Sequence, residues 1–236
     1  MGDMRRRLYK YFPERKWAEA FLEGEILFRA LSFFREYEDA NVRRDQNEGV
    51  SHFRPPDGLV GYNHTQGRSF TLPRHGFESS ARANEIFVFC VSTIFSETLR
   101  ARFDAVTCVE ILKIREFCDR IKAALPPAAT FAARRVQYYK QTDPPAERWA
   151  LPDLIATSKF DDYEWQSEYR FVFSLTDALG FEKVTTVLRS NHAVPDANAM
   201  AHSDYPLKTR SLQDICRLRE FATSPESEAR LQKLDE

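Results

Sequence analysis

The period of the apolar positions changes repeatedly along the chain, and each change predicts an element. Leu8-Tyr9-Lys10-Tyr11-Phe12 is short, alternating and aromatic, the pattern of a strand. Pro13 then opens an amphipathic helix over residues 14–23, with Trp17, Ala20, Phe21 and Leu22 on one face and Gly24 at its end. Residues 26–34 read as a second strand that runs into a charged stretch ending at Gly49. From 50 to 84 Gly, Pro, His and Arg abound and no period persists, which predicts a long loop or lid. Ile86-Phe87-Val88-Phe89-Cys90-Val91 is a buried strand within 85–94. A helix over 96–103, a strand over 105–112 and a helix over 114–125, stopped by Pro126-Pro127, follow.

The remaining pattern is less regular. A strand is predicted at 136–139 and a partly helical run over 146–159, restarted at Pro152. Further strands are predicted at 169–175, 184–189 and 207–209, then a helix at 212–221 and a polar tail at 223–236. Strands and helices mix without βαβ alternation, so one α+β domain over residues 1–236 is expected, with mostly antiparallel packed sheets and flanking helices. The strands near 8–12, 86–91, 106–111 and 169–175 should share its core.

Composition narrows the setting. No apolar run approaches the roughly 20 residues that cross a bilayer. The basic Arg5-Arg6-Arg7 is followed by Leu8-Tyr9-Lys10-Tyr11 where a signal peptide needs an apolar stretch, so a cytoplasmic protein without a membrane partner is expected. Cys90, Cys108, Cys118 and Cys216 form no CxxC pair, and Cys90 and Cys108 lie among apolar neighbours that predict buried, reduced thiols. The five histidines show no metal-ligand spacing, so no metal is expected. A net charge of −1 argues against a general nucleic-acid-coating protein, yet Arg outnumbers Lys 25 to 9, which suits phosphate or carboxylate recognition.

Four groups of residues could carry chemistry. In Trp165-Gln166-Ser167-Glu168-Tyr169-Arg170 a polar segment enters an apolar strand. On extended backbone Gln166 and Glu168 would share a face, placing a carboxylate and an amide at a strand mouth. The same residues also suit an edge strand facing water. Lys10, with Tyr9 beside it, could contact a phosphate or only snorkel from the core edge. Arg43-Arg44-Asp45-Gln46-Asn47-Glu48 could grip a dinucleotide, hold a metal or form a solvated turn. Ser92-Thr93 ends a buried strand, where hydroxyls either line a cleft or cap the next helix.

In order, the Leu8–Gly24 strand and helix, Val88 to Ser92, Cys108-Val109-Glu110, Val136 to Tyr138 and Trp165 to Arg170 resemble the motif series of the ADP-ribosyltransferase superfamily. The likeness is to small bacterial toxin and phage-defence members with a Gln-x-Glu motif. It implies transfer of ADP-ribose from NAD to a nucleic acid or protein acceptor, with an antitoxin or defence-complex partner. Glu168 would be catalytic and Gln166 would orient the acceptor. Lys10 stands where the family has Arg or His. With Tyr9, Arg43, Arg44, Ser92 and Thr93 it would hold NAD, and Trp165 would stack on a ring. Only Ser92-Thr93 of the family's Ser-Thr-Ser strand is kept. Glu168→Gln would remove the charge with little change of shape.

Two readings of other classes stand beside this one. A metal-dependent nuclease would use Asp39, Asp45 and Glu48 and need a divalent ion. A binding or sensor module would tolerate replacement of its cleft residues.

Overall fold

The computed structural model describes residues 7–36, 45, 47–145, 147–190 and 203–221. Strand exceeds helix, 41% to 21%, and the sheets are mostly antiparallel. The α+β expectation holds at that level.

The main sheet is organised by β7 (Phe87–Ser92). One of its edges is taken along its length by β12 (Glu168–Ser174), from Glu168 opposite Ser92 to Phe173 opposite Phe87. The other edge is shared. β2 (Glu25–Ala30) pairs with Val88 and Phe87, while β1 (Leu8–Phe12) reaches only Ser92, through Tyr9. Beyond β1 lie β8 (Thr107–Ile111) and β15 (Cys216–Glu220), beyond β2 lies β14 (Asp204–Lys208), and β9 (Thr130–Arg135) pairs with β12. Between its contacts with β1 and β2, the edge of β7 at residues 89–91 takes no strand among the described residues. Here the sheet opens.

Side-chain alternation assigns the two faces. Phe89, Val91, Phe171 and Phe173 point to the face covered by α1 (Arg15–Leu22) and by the later helix Ile114–Ala124. That core is aromatic: Phe21 stacks on Phe89 at 5.6 Å and Phe117 meets Phe171 edge-on at 5.0 Å. In α1, Ala18 and Phe21 are its buried residues, three apart as an amphipathic helix requires. Gly24 follows at φ +94°, and a Cβ there would meet the Thr209 carbonyl oxygen at 2.5 Å. The glycine lets the chain turn out of α1 under the segment beside β14. Val88 and Val172 face the opposite side, with Cys90, Ser92, Glu168 and Arg170 in the same alternating rows.

Several expectations change. Residues 50–84 are not a loop: they form β3 (Val50–Phe53), β4 (Leu59–Asn63), β5 (Arg68–Leu72) and β6 (His75–Ala81). β6 sits between β3 and β13 (Val184–Ser190) in a second sheet, and β4 and β5 make a separate hairpin. The buried positions of β6 are Gly76, Ser79 and Ala81, small or polar residues that leave no apolar period to read. The second strand stops at Ala30 and gives way to a short helix α2 (Phe33–Glu36); α3 (Glu97–Arg102) lies within the predicted 96–103, and Ser96 caps it, not Ser92 or Thr93. The 212–221 helix is one turn only, closed by Cys216 N–H donating to the Leu212 carbonyl at 2.8 Å. The chain then becomes β15, which satisfies the open edge of β8.

The 146–159 run resolves into a 3-10 turn, α5 (Pro152–Ile155, with Ile114–Ala124 as α4) and β11 (Ser158–Phe160), which pairs parallel to β10 (Gln137–Tyr139). All four cysteines are free; Cys108 is buried, but Cys90 is only half-buried. The 223–236 tail lies outside the described residues, and so do Asp39, Arg43 and Arg44. Among the described residues no helix is long and apolar enough to cross a membrane.

Within 50–84, β6 is paired on both edges whereas β4 and β5 pair only with each other. Amide hydrogen exchange should therefore be slowest in β6 and fast in the hairpin. Uniformly rapid exchange across 50–84 would restore the lid.

Candidate functional site

Arg170 explains the site best. It lies in β12 between Tyr169 and Phe171, faces away from the aromatic core and is 1% exposed. A guanidinium there cannot lose its proton, so it must be met by carboxylates. Glu48 meets it with both oxygens, at 2.8 and 2.5 Å, and Glu168 Oε2 accepts from Arg170 Nε at 2.8 Å. The Ala156 carbonyl accepts a further hydrogen bond at 2.8 Å. Lys159, on β11, completes the group: Nζ lies 3.1 Å from Glu168 Oε1 and 3.3 Å from Glu48 Oε1. Two cations and two carboxylates thus close on one another in the interior.

Gln166 and Glu168 do meet, by a different route from the one expected. Gln166 is not on extended backbone but ends a 3-10 turn over Asp161–Gln166, and Ser167 adopts a left-handed conformation at φ 46°. That reversal brings Gln166 Oε1 within 2.8 Å of the same Lys159 Nζ that binds Glu168. Tyr138 Oη anchors the turn from behind by accepting from the Glu168 amide at 2.8 Å.

The electrostatics follow from this packing. Burial alone would raise the Glu168 carboxyl, but Arg170 and Lys159 outweigh it and hold the group down at about 2. Burial would likewise lower Lys159, and Glu168 and Glu48 reverse the effect. Asp45 has no such partner. Burial and the neighbouring Glu48 push its carboxyl up to about 6.

Glu168 ends a row of side chains that crosses the sheet on one face. Glu168 is opposite Ser92, Ser92 opposite Tyr9, Tyr9 opposite Glu110, and Glu110 opposite Arg217. Ser92 Oγ donates to the Gln166 carbonyl at 3.0 Å, and Tyr9 Oη donates to Glu110 at 3.4 Å. Lys10 points into the opening of the sheet, its Nζ donating to the Cys90 carbonyl at 2.9 Å and lying 4.5 Å from the Phe89 ring centre. A cavity of about 810 Å³ occupies that opening, and Tyr9, Lys10, Ser92, Gln166, Glu168 and Lys159 are among its walls. Such a volume is within the range of small-molecule sites.

Of the predicted site residues, Glu168, Gln166, Lys10, Tyr9 and Ser92 therefore converge. Thr93 does not line the cavity; its amide ties down the turn by donating to the Ser167 carbonyl at 2.8 Å. Trp165 packs against Phe103 instead. Asp45 and Glu48, the described members of the nuclease trio, are buried, and the Glu48 oxygens bind Arg170 and Lys159. Lys159 and Arg170 were missed. Arg170 had a readable signal, since it shares the face of Glu168 two residues away in an apolar strand; Lys159 had none. Compared with protein-family models, curated proteins and solved structures, the chain matches none.

Removing one member of the buried group leaves an opposite charge stranded. Arg170→Met should cost on the order of 3–5 kcal/mol in urea unfolding, because Glu48 and Glu168 both lose a partner. A loss below about 1 kcal/mol would mean that the cluster is open to water. Glu168→Gln is accordingly not neutral to the fold, contrary to what shape alone suggests.

Asp45 makes a separate prediction. Its folded carboxyl is raised from 3.8 to about 6, so protonation adds stability that is present below about pH 4 and lost as pH rises through 6. Between pH 6.5 and 4.5, wild type should gain stability relative to Asp45→Asn, by up to ~2 kcal/mol. Parallel unfolding curves at the two pH values for both proteins would disprove it.

Proposed function

We propose that the chain is an ADP-ribosyltransferase that takes NAD as substrate in the opening between β1 and β2. One observation carries the reading: Glu168, a carboxylate kept ionised by its partners, stands in the Tyr9–Ser92–Glu168 row on the wall of a cavity of small-molecule size. NAD supplies a ribose whose bond to nicotinamide breaks with positive charge developing on the sugar, as in glycoside cleavage. A carboxyl held at about 2 is charged at every physiological pH. It suits electrostatic stabilisation of that charge and not proton donation.

The other residues take supporting roles. Lys159 holds Glu168 and Gln166 on one ammonium, which orients both towards a single point. Lys10 is the cation at the sheet opening, placed to meet a diphosphate. Ser92 fixes the Gln166 backbone.

A second reading rests on a different observation. Both oxygens of Glu168 and the side-chain oxygen of Gln166 already accept from Lys159 or Arg170. A wall so fully paired also suits a module that binds a ligand without transforming it.

The two separate in one experiment. NAD without added metal should raise the melting temperature of the wild-type protein, and nicotinamide should be released with pools of protein, RNA or DNA as acceptor. Glu168→Gln should lower that rate by about a hundredfold or more, read at a temperature where circular dichroism shows the variant folded. Thermal stabilisation without turnover would favour the binding module; no shift and no turnover would end the transferase reading and exclude NAD as the module's ligand.

A further inference from the structure

The face that carries the Glu168 row continues across β1, β8 and β15 into a surface of a different kind. Phe95 and Phe221 are stacked nearly parallel, 5.0 Å apart with 3° between the rings. Phe221 continues to Tyr11 at 5.9 Å, Tyr11 to Phe103 at 5.6 Å, and Phe103 to Trp165 at 5.8 Å. The rings form a ladder, and Trp165 is the residue before Gln166. Phe95 keeps 37% of its surface exposed although it has two aromatic partners, Tyr9 and Phe221.

Each end and the middle of the ladder carry a guanidinium. Arg219 lies 5.4 Å from the Phe95 ring, Arg100 5.5 Å from Phe221, and Arg102 4.4 Å from Trp165. Beside them, Arg7, Arg217 and Arg219 share one buried carboxylate, Glu110, at 2.6, 2.6 and 3.4 Å. Burial works against the ionisation of Glu110, but Arg217 and Arg7 keep it below its ordinary range. Three cations on one anion leave an excess of positive charge, and Arg100 is the member paired elsewhere, with Glu97. In a chain of net charge −1, that excess is local to this face.

We propose that this face binds single-stranded nucleic acid, with phosphates on the arginines and an unstacked base against the exposed surface of Phe95. Repeating cations beside an exposed aromatic ring match a nucleic-acid strand, since every base offers a π-face and every linkage a phosphate. An acidic peptide would use the arginines and leave the rings idle. A duplex keeps its bases stacked and could not reach them. Tyr11, the middle rung, is buried, so the strand meets the protein at Phe95 and the arginines and reaches towards Trp165, the residue before Gln166. Its role as the acceptor rests on the transferase reading; its binding does not.

The test is fluorescence anisotropy with labelled twelve-residue oligo-dT and oligo-rU, a duplex of the same length and an acidic peptide, over a series of salt concentrations. Both single strands should bind, more weakly as salt rises, and more tightly than the duplex. Phe95→Ala should weaken them by about five- to a hundredfold, the worth of one stacked base. Arg100→Ala with Arg102→Ala should flatten the dependence of log affinity on log salt by about one to two. A preference for one strand names DNA or RNA.

Equal binding of duplex and single strand, indifference to Phe95→Ala in a folded variant, tighter binding of the acidic peptide, or no binding at low salt would each overturn the proposal. Strand binding that survives Glu168→Gln, in a protein that releases no nicotinamide, would leave this face standing and remove the transferase reading. Nicotinamide release without strand binding would do the reverse.

Discussion

Arg170 is a permanent charge in a strand that continues as Phe171-Val172-Phe173, and the rest of the fold answers to it. A guanidinium stripped of water must be matched on nearly all its donors, and two of the three groups that match it come from outside its own strand. Glu48 arrives from the segment that leads into β3, the Ala156 carbonyl from the end of α5, and Glu168 from the strand itself. Lys159 then balances the second carboxylate. The cluster joins the main sheet to the α5–β11 segment and to the approach to the second sheet, where hydrophobic contact is supplied mainly by small residues.

The same constraint shapes the chemistry open to the site. A carboxylate between an ammonium and a guanidinium remains charged but cannot wander, so it is both pre-organised and partly neutralised. Pre-organised charge in a dry wall is what electrostatic catalysis uses. Holding Glu168 in place also makes it part of the fold, so its structural and chemical contributions cannot be separated by activity alone. The opening of the sheet matters equally. Since β1 and β2 grip opposite ends of β7, the middle of that strand is bare on one edge, and Lys10 fills part of the opening instead of a backbone partner.

Much of the sheet was legible in the sequence. The strands at 8–12, 85–94, 105–112 and 169–175, with the helices at 14–23, 96–103 and 114–125, follow from aromatic or β-branched alternation and from amphipathic spacing; all lie close to their observed bounds. Gln166 and Glu168 were legible as neighbours for an incorrect reason, extended backbone, where a left-handed Ser167 and a shared lysine bring them together. The strands of 50–84 were not legible. β6 buries Gly, Ser and Ala, which carry no hydrophobic signal, and β5 buries little at all.

What the sequence by itself determined was the local part: which segments prefer strand or helix, where Pro and Gly end them, and which residues are too apolar to face water. These depend on neighbours a few positions apart. Tertiary structure alone decided that residues 212–221 serve β8 as a strand after one helical turn, because the need of an open sheet edge is invisible in the segment itself. It alone decided that Glu48, a metal ligand only in the alternative nuclease reading, binds Arg170, 122 positions away. Charge pairing across such distances is set by which strands become neighbours. Burial then makes the pairing compulsory, since an ion in the interior has no water to fall back on.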